Sequence, residues 1–440
     1  FFEQYPSNNI TEGNFYKTDD DFNQGVVACY AKLKTQMSFH LTEIGYRGDE
    51  NVLESMAVST QNRYDIDHFA ETANNGILND IWNAWYNGIY RCNDVLDHMT
   101  GAKIANYDKY RGECLFLRSW WYFNLYRVFG VVPITRTVVT PAAAKLIPRC
   151  TEEEMYTLLT EDLAEAARLL PPTPGPEKAR VANIAAYTLL AKVYLTFGKP
   201  AEAKTALEEA MKNTSYGLES TTKKVFDVGN KMNREIIFAL YYNKTNDNGH
   251  GYWYSANTDV LADINNPTPT FKAIYDSEKD NRLPLISSYT KIKDNLFAMT
   301  KWYDTYDATY TTQVGNDFPH LRYADVVLMY AEALAESGGS LGDALEWLNK
   351  TRTRAGLDEL TTDEVKSLAE FRRELAAERG REFALEGHRW FDLVRLGLAV
   401  DYFREMGYSL DSHNLIFPIP QNQIEIVNNP SILWQNPGFN

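Results

Sequence analysis

The sequence contains few of the residues that build metal centres or disulfide frameworks. Only four of its 440 residues are cysteines, and none of them forms a Cys-x-x-Cys pair or a Cys/His cluster. A structural zinc site needs clustered ligands, and the Asp/Asn-rich loops show no EF-hand spacing. We therefore predict no metal site and no cofactor. Cys92 and Cys114 are candidates to face each other across a helical hairpin; otherwise the cysteines are expected to be small buried groups.

Long runs of a single residue class are also missing. The formal net charge is −15, and no Lys/Arg run interrupts it. Because phosphate binding needs a basic footprint, we expect no nucleic-acid partner. The same charge argues against strongly anionic polysaccharides. No apolar stretch reaches the roughly 18 residues of a membrane span.

The start of the chain offers no targeting signal. It begins at Phe1, without an initiator Met, a signal peptide or a lipid-acceptor Cys. The sequence is therefore expected to be the mature part of a longer protein.

The usual catalytic motifs are absent as well. Neither G-x-S-x-G, H-E-x-x-H, a P-loop nor a dinucleotide fingerprint occurs. A glycosidase needs two positioned carboxylates, and nothing marks such a pair among the 59 acidic residues. We predict that the protein is not an enzyme. An all-helical glycoside hydrolase stays open as the less favoured alternative, because those enzymes share no universal motif.

Helical periodicity dominates most of the chain outside its middle. The carboxylates of Asp19 to Asp21 suit the N-terminus of a first helix. Thr151 and Glu154 form a capping-box pattern, and Pro171 marks the end of the helix that follows. Hairpins are predicted from two further pairs of segments, 79–99 with 107–129 and 181–197 with 201–212. The Trp residues of the first hairpin are expected to be core.

Two stretches follow the residue scheme of a tetratricopeptide repeat, with large and small residues alternating so that the paired helices approach closely. The first stretch has Tyr187, Leu190, Ala191, Tyr194, Gly198, Ala203, Leu207 and Ala210 at these positions; the second has Val327, Tyr330, Ala331, Leu334, Gly338, Ala344 and Leu348. The 79–129 hairpin is a looser third copy. The predicted fold class is mostly α: a scaffold of tetratricopeptide-like hairpins over about 20–213 and 321–400.

The scaffold ends in a dense group of charged and aromatic residues. The pattern from 321 to 395 predicts helix, Gly-rich turn, helix, loop and one long helix. The long helix carries acids and bases at spacings of three and four, which favours ion pairs over an acid/base site. The residues concerned are Glu378, Arg379, Arg381, Glu382, Glu386, His388, Arg389, Trp390 and Asp392.

A large irregular insertion, about 214–320, separates the two parts of the scaffold, and an irregular segment, 401–440, follows them. The insertion is rich in Asn, Asp, Gly, Pro and aromatic residues, with a short buried strand expected within 235–242. Three loops, at 47–75, 246–257 and 302–313, combine aromatic rings with polar side chains.

Rings meet the apolar faces of sugars, and polar side chains meet their hydroxyls. We hypothesise that the three loops converge on one shallow site; the alternative is that their rings pack back on the domain. The candidate ligand-binding residues are Arg47, Asp49, Tyr64, Asp67, Asn248, Tyr252, Trp253, Tyr254, Trp302, Tyr303 and Tyr306.

The order of several stretches resembles the SusD/RagB family of outer-membrane lipoproteins from Bacteroidetes-type bacteria, over nearly the whole chain as a single domain, 1–440. The stretches are IWNAWYNGIYRCNDVL (81–96), RGECLFLRSWWYFNLYRVFGVVPI (111–134), TEDLAEAARLLP (160–171), AAYTLLAKVYL (185–195), NDFPHLRYADVVLMYAEAL (316–334), LNKTRTRAGL (348–357), EGHRWFDLVRLG (386–397) and LIFPIPQNQIEIVNNPSILWQNPGFN (415–440). RGDE (47–50) is similar to the Arg-x-Asp turn of the family.

The resemblance implies a surface-exposed, non-catalytic lipoprotein of the outer membrane that captures glycans for import. It also implies partnership with a TonB-dependent transporter of the SusC type, and a lipid anchor upstream of residue 1. The alternative within the same import type is capture of peptides or glycopeptides. The binding loops of the family vary, so the candidate ligand residues are not carried over from it.

Overall fold

The fold is described from a computed structural model, which covers residues 15–50, 61–243, 255–257, 267–293, 296–304 and 315–439. Helices make up most of these residues, which confirms the predicted mostly α fold class. Their bounds are α1 Asp19–Gly45, α2 Gln61–Asp67, α3 Gly76–His98, α4 Tyr107–Phe129, α5 Pro141–Ala144, α6 Glu152–Leu169, α7 Asn183–Thr196, α8 Pro200–Met211, α9 Thr222–Val225, α10 Pro269–Lys272, α11 Leu283–Ser287, α12 Tyr323–Glu336, α13 Leu341–Arg354, α14 Leu368–Glu382, α15 Arg389–Arg395, α16 Ala399–Glu405 and α17 Gln421–Val427. None of the helices in the described ranges is both long and apolar enough to span a membrane.

Capping residues account for where several long helices begin. Thr18, Thr151 and Ser367 each accept a hydrogen bond from the backbone three residues on, and the acidic side chain there bonds back. Each capping box satisfies two backbone N–H groups that the helix itself leaves without partners. The predicted capping box at Thr151 is confirmed.

The long helices stack in one continuous series. Each of α3, α4, α6, α7 and α8 packs on the next, and α8 packs on α12, followed by α13 and α14. The insertion therefore separates the two parts of the predicted scaffold in sequence but not in space. Gly88 of α3 shows how close the packing is: a Cβ atom there would lie 2.2 Å from Trp121 of α4. Trp82, Trp85 and Trp121 are buried in this hairpin, as predicted.

Two small sheets accompany the helices. Strand β1 (Ile236–Leu240) pairs antiparallel with β5 (Phe318–Arg322), and β4 (Leu296–Met299) pairs with both β2 (Ser255–Asn257) and β3 (Tyr289–Lys293). All five residues of β1 are buried, which confirms the predicted buried strand. Strand β5 continues directly into α12 and so fixes the insertion to the scaffold.

Two details differ from the sequence prediction, and a third concerns the cysteines. The predicted long final helix is two helices, because residues 383–388 form a connection in which Leu385 and Gly387 have φ of 62° and 75°. Helical periodicity carries no sign of positive φ at Leu385, so the break was missed. The predicted loop around Tyr64 contains α2, and Cys92 and Cys114 are both free thiols.

The charged group at the end of the scaffold is a set of buried ion pairs, so its predicted structural role is confirmed. Arg282 contacts Glu378 at 2.7 Å, and Arg322 contacts Glu386 at 2.8 Å. Most partners come from distant parts of the chain, and only a few are three residues apart on one helix. The charges therefore bind the insertion to the scaffold as well as helix to helix.

Candidate ligand-binding site

Arg47 and Asp49 form the turn that follows α1, and both are buried. The Arg47 guanidinium pairs with Glu71 and lies over the rings of Phe69 and Phe417, at 4.6 and 4.2 Å from the ring centres. Asp49 accepts hydrogen bonds from Arg389 at 2.7 and 3.2 Å. The two side chains are 0% and 3% exposed, so the structure corrects their expected placement at a ligand surface.

The reason for this burial is tertiary. An Arg-Gly-Asp turn by itself leaves its charged side chains exposed to solvent. Here the rings around Arg47 and the guanidinium of Arg389, which come from other segments of the chain, cover them. Removing such charges from water is tolerated because each has a close partner of opposite charge. Arg47 and Asp49 thus hold the turn against the connection 383–388 and α15.

Glu50 completes the turn and is buried as well. Its Oε1 accepts a hydrogen bond from the Leu385 N–H at 3.0 Å. Burial raises the pKa of Glu50 to about 8; the Leu385 bond and the charges of Arg389 and Lys301 lower it only in part. The carboxyl is therefore held near its titration point at neutral pH.

We expect Glu50→Gln to make the stability of the protein less dependent on pH. The folded-state pKa lies above the value of about 4.3 in an unfolded chain. Folding thus favours the protonated carboxyl, whose contribution is fully present below about pH 4.3 and is lost as the pH rises through about 8. Glutamine keeps the bond to Leu385 and stays neutral, so the variant should be more stable than the wild type by up to about 5 kcal/mol at pH 8.5.

Urea denaturation at pH 5 and pH 8.5 measures this difference. Glu161→Gln is the matched control, because Glu161 is exposed and pairs with Arg136 at the surface; it should change little at either pH. A Glu50→Gln effect of the same size at both pH values would contradict the assignment.

Helix α2 places Tyr64 at the surface beside a residue that the sequence analysis did not select. The Tyr64 ring stacks on His68, with ring centres 3.8 Å apart and planes at 17°. Tyr64 is half-buried, and the His68 side chain is 35% exposed. Asp67 is buried, with Oδ2 3.1 Å from His68 Nδ1. The i, i+4 spacing of Tyr64 and His68 was the signal for this stacked pair.

Trp302 and Tyr303 lie at the other end of the candidate set. The Trp302 ring is 1% exposed and packs edge-on against Phe226, 5.2 Å between centres, and against Phe318. This corrects the expectation that Trp302 presents its ring to a ligand. Tyr303, the next residue, is half-buried.

The remaining candidates, Asn248, Tyr252, Trp253, Tyr254 and Tyr306, lie outside the described residues. Their part in ligand binding stays a prediction, as does that of Tyr64, Asp67 and Tyr303. Of the described candidates, Tyr64 and Tyr303 are partly exposed to solvent. In the described ranges, no group of three His, Cys, Asp or Glu residues is placed to hold a metal ion.

The described ends of the predicted loops lie close together. Thr268 Oγ1 donates to the Asp49 carbonyl at 2.8 Å, and Lys301 Nζ contacts Glu386 at 2.7 Å, next to the Leu385 that binds Glu50. The turn 47–50 and the segment 300–304 therefore attach to the connection 383–388, and the start of α10 attaches to the turn. We call these four segments the anchoring platform.

The loops of the insertion are attached to the same region. Lys231 Nζ donates to the carbonyl oxygens of Tyr242 and Gly315, and the Gly315 N–H donates to Asp304 at 2.8 Å. Strand β2 pairs with β4, which leads straight into Thr300. These hydrogen bonds and strand pairs tie the described ends of the loops 246–257 and 302–313 to the segment 300–304.

Comparison with known proteins gives consistent matches. Residues 281–439 match the family model described as the SusD family, and residues 9–195 match the model described as "Starch-binding associating with outer membrane". The chain is 25% identical to the SusD-like protein P2 of Formosa agariphila, over 99% of this chain and 96% of that protein.

Solved structures show the same fold. A SusD superfamily protein from Bacteroides vulgatus has a TM-score of 0.81 and 23% identity, covering 97% of this chain and all of that one. Surface glycan-binding protein A from Bacteroides thetaiotaomicron, in complex with laminarihexaose, has a TM-score of 0.79 and 22% identity, over 95% of this chain and 99% of that one.

Proposed function

Because this chain belongs to the SusD family, we propose that it is a non-catalytic, cell-surface subunit that captures oligosaccharide or polysaccharide for import. The observation that carries the proposal is the anchoring platform, where the starts of two aromatic-rich loops, 47–75 and 302–313, and the start of α10 are held together by hydrogen bonds and by the buried Lys301–Glu386 ion pair. A rigid base under variable loops suits a protein that binds a ligand and releases it unchanged.

The comparisons add support for the ligand class. A structure of the same fold holds laminarihexaose, a neutral glucan fragment, and is named a surface glycan-binding protein. Neutral sugars need aromatic planes and directional hydrogen bonds, and the loops supply both. Within the proposal, Tyr64, His68 and Tyr303 join Asn248, Tyr252, Trp253, Tyr254 and Tyr306 as the ligand-contacting set, whereas Arg47, Asp49 and Trp302 support it from beneath.

The wider setting follows from the family. We propose that the protein acts with a SusC-type TonB-dependent transporter and is held at the outer membrane by a lipid anchor upstream of residue 1. The family model named for association with the outer membrane supports this location. Capture of peptides or glycopeptides is the alternative within the same system, because aromatic and amide side chains suit a peptide backbone as well.

Affinity gel electrophoresis tests the proposal with a panel of neutral polysaccharides that includes laminarin and starch. We expect at least one of them to retard the protein, and Trp253→Ala and Tyr64→Ala each to weaken retention about tenfold, since a stacked ring contributes about 1–1.5 kcal/mol. Tyr90→Ala is the matched control, because Tyr90 is 47% exposed on α3, away from the platform; it should be retained like the wild type.

Other results of the gel experiment would lead to different conclusions. If no polysaccharide retards the protein while a peptide pool does, the peptide alternative replaces the proposal. Released reducing sugar after prolonged incubation with a retained glycan would show a hydrolase instead. Unchanged retention of both Trp253→Ala and Tyr64→Ala would remove these loops from the binding site.

A further inference from the structure

A concavity lies between α4, α7 and α15, and it reaches the anchoring platform only at His388. Its volume is about 280 Å³, and its half-exposed rim includes Tyr126, Thr196 and Val394. The floor is charged rather than apolar. Arg127, Lys192, His388, Asp392 and Arg395 all line it.

Arg127 is the unusual member of this floor. Its guanidinium lies between two rings, 3.9 Å from the centre of Phe391 and 4.7 Å from that of Phe123. Among the described residues its one hydrogen bond runs from Nη2 to Asn124 Oδ1, and its buried Nε has no partner. No described carboxylate forms an ion pair with it. Burial lowers the pKa of Arg127 to about 9, although the charges of Asp392 and Asp325 act to raise it.

The neighbouring cations already form ion pairs with nearby carboxylates. Arg379 contacts Asp325 at 2.9 Å and Asp392 at 2.8 Å, and Lys192 also pairs with Asp325. Arg395 contacts Asp392 at 3.1 Å and pairs with Glu332. Three carboxylates are thus shared among the cations around the cavity.

The local charge balance is therefore positive, although the whole chain carries −15. Four cations, Arg127, Lys192, Arg379 and Arg395, stand against three carboxylates, Asp325, Glu332 and Asp392. His320 and His388 do not change the balance, because burial lowers the pKa of both and keeps them neutral. Burial raises the pKa of Glu332, so any protonation there adds to the excess of positive charge.

We propose that this cavity binds a small monovalent anion, with the carboxylate of an organic acid up to the size of a monosaccharide as its ligand class. Arg127 is half-buried with its Nε fully buried, and a cation that is largely removed from water without a counter-charge is costly. A ligand carboxylate supplies the missing negative charge. Nη2 of Arg127 is bonded to Asn124 and Nε is buried, so Nη1, which has no partner among the described residues, is the donor left for a ligand carboxylate. A divalent anion would over-compensate an excess of one charge. The cavity is independent of the proposed glycan site.

Lys192 makes the binding dependent on pH. Burial, together with the charge of Arg379, lowers the pKa of Lys192 to about 8, while Asp325 and Asp392 oppose the shift. Above that pH the ammonium loses its proton, and the four cations become three. Glu152 accepts a hydrogen bond from the rim residue Tyr126 at 2.8 Å and is not among the residues that line the cavity. Affinity for an anion should therefore fall as the pH rises through 8.

Isothermal titration of the whole chain with sodium acetate, sodium glucuronate and glucose, at pH 7 and pH 9 and constant chloride, tests the proposal. We expect a carboxylate to bind at pH 7 and to bind at least fivefold more weakly at pH 9, and glucose not to bind. Binding of acetate and glucuronate together identifies a general carboxylate site, and binding of glucuronate alone one that also contacts the sugar ring. No binding of either carboxylate, or equal binding of glucose, overturns the proposal.

Two variants locate the site. Asn124→Asp places a carboxylate of the same shape beside Arg127, so it should supply the missing charge internally and weaken carboxylate binding at least tenfold in a folded protein. Arg127→Met should weaken it to a similar extent, and Arg168→Met, at an exposed ion pair on α6, is the control that should not.

Circular dichroism shows whether each variant is folded. If Arg127→Met does not fold, the carboxylate affinity of Asn124→Asp is the measurement that tests the proposal. Unchanged carboxylate affinity in folded Asn124→Asp overturns the proposal. Retention on a polysaccharide gel should be unchanged in these variants, so failure of this site is distinguishable from failure of the glycan site.

Discussion

Replacing Arg322 by Met is expected to lower the free energy of unfolding by about 3–5 kcal/mol, the range for breaking a buried ion pair from one side. The Arg322 side chain is 1% exposed, and its guanidinium contacts Glu235 at 2.8 Å, Glu382 at 2.6 Å and Glu386 at 2.8 Å. Removing it leaves three buried carboxylates with less positive charge around them. Urea denaturation followed by circular dichroism at pH 7 measures the loss.

The design includes a control and a rescue. Arg168→Met removes an arginine that is 66% exposed and pairs with Glu165 on the same helix, so it should cost less than about 1 kcal/mol. Adding Glu386→Gln to Arg322→Met should restore part of the loss, because it removes one uncompensated charge. A loss below 1 kcal/mol for Arg322→Met alone would show that the pairs at β5 and the end of α14 do not hold the insertion to the scaffold.

Trp302→Ala is expected to lower the free energy of unfolding by about 3–5 kcal/mol, the range for truncating a large buried aromatic side chain. The ring fills the space between Phe226 and Phe318, and the neighbouring Lys301 pairs with Glu386. The cavity left behind lies next to the anchoring platform. Thermal and urea unfolding measure the effect directly.

The same variant distinguishes support from ligand contact. Trp302→Phe keeps most of the buried volume and should recover most of the stability, and with it any glycan retention that Trp302→Ala loses. If Trp302→Ala kept full stability but lost glycan retention, the ring would act as a ligand contact, contrary to its buried position. Comparison with Trp253→Ala separates the two roles, because Trp253 is proposed to contact the glycan.

Helices and their capping residues could be predicted where they depend on residues close together in the sequence. The hairpins from α3 to α8 follow from apolar spacing and from the Gly and Pro residues between helices, and the capping box at Thr151 from two residue types three apart. Leu385 shows the limit of such rules. Its positive φ is held by contacts with Glu50 and with neighbouring segments, and no periodicity in the sequence records them.

Site residues were harder to predict because a residue type does not reveal its exposure. Arg47, Asp49 and Trp302 have the chemistry of ligand contacts, yet distant partners bury all three. The stacking of His68 on Tyr64 depends on α2, and the sequence around Tyr64 carries too little helical periodicity to predict that helix. The ends of the loops, by contrast, do lie close together at the platform.

The sequence by itself determined the helical class, the repeat scaffold and the family, because these depend on local periodicity and on the order of motifs along the chain. Only the tertiary structure decided which charges are buried, where the insertion is anchored, and that the cavity at Arg127 has one positive charge in excess. Many of the partners concerned are far apart in the sequence: Arg322 and Glu382 are separated by 60 positions, and Asp49 and Tyr402 by 353. Burial and charge balance are sums over such partners, and they exist only once the chain is folded.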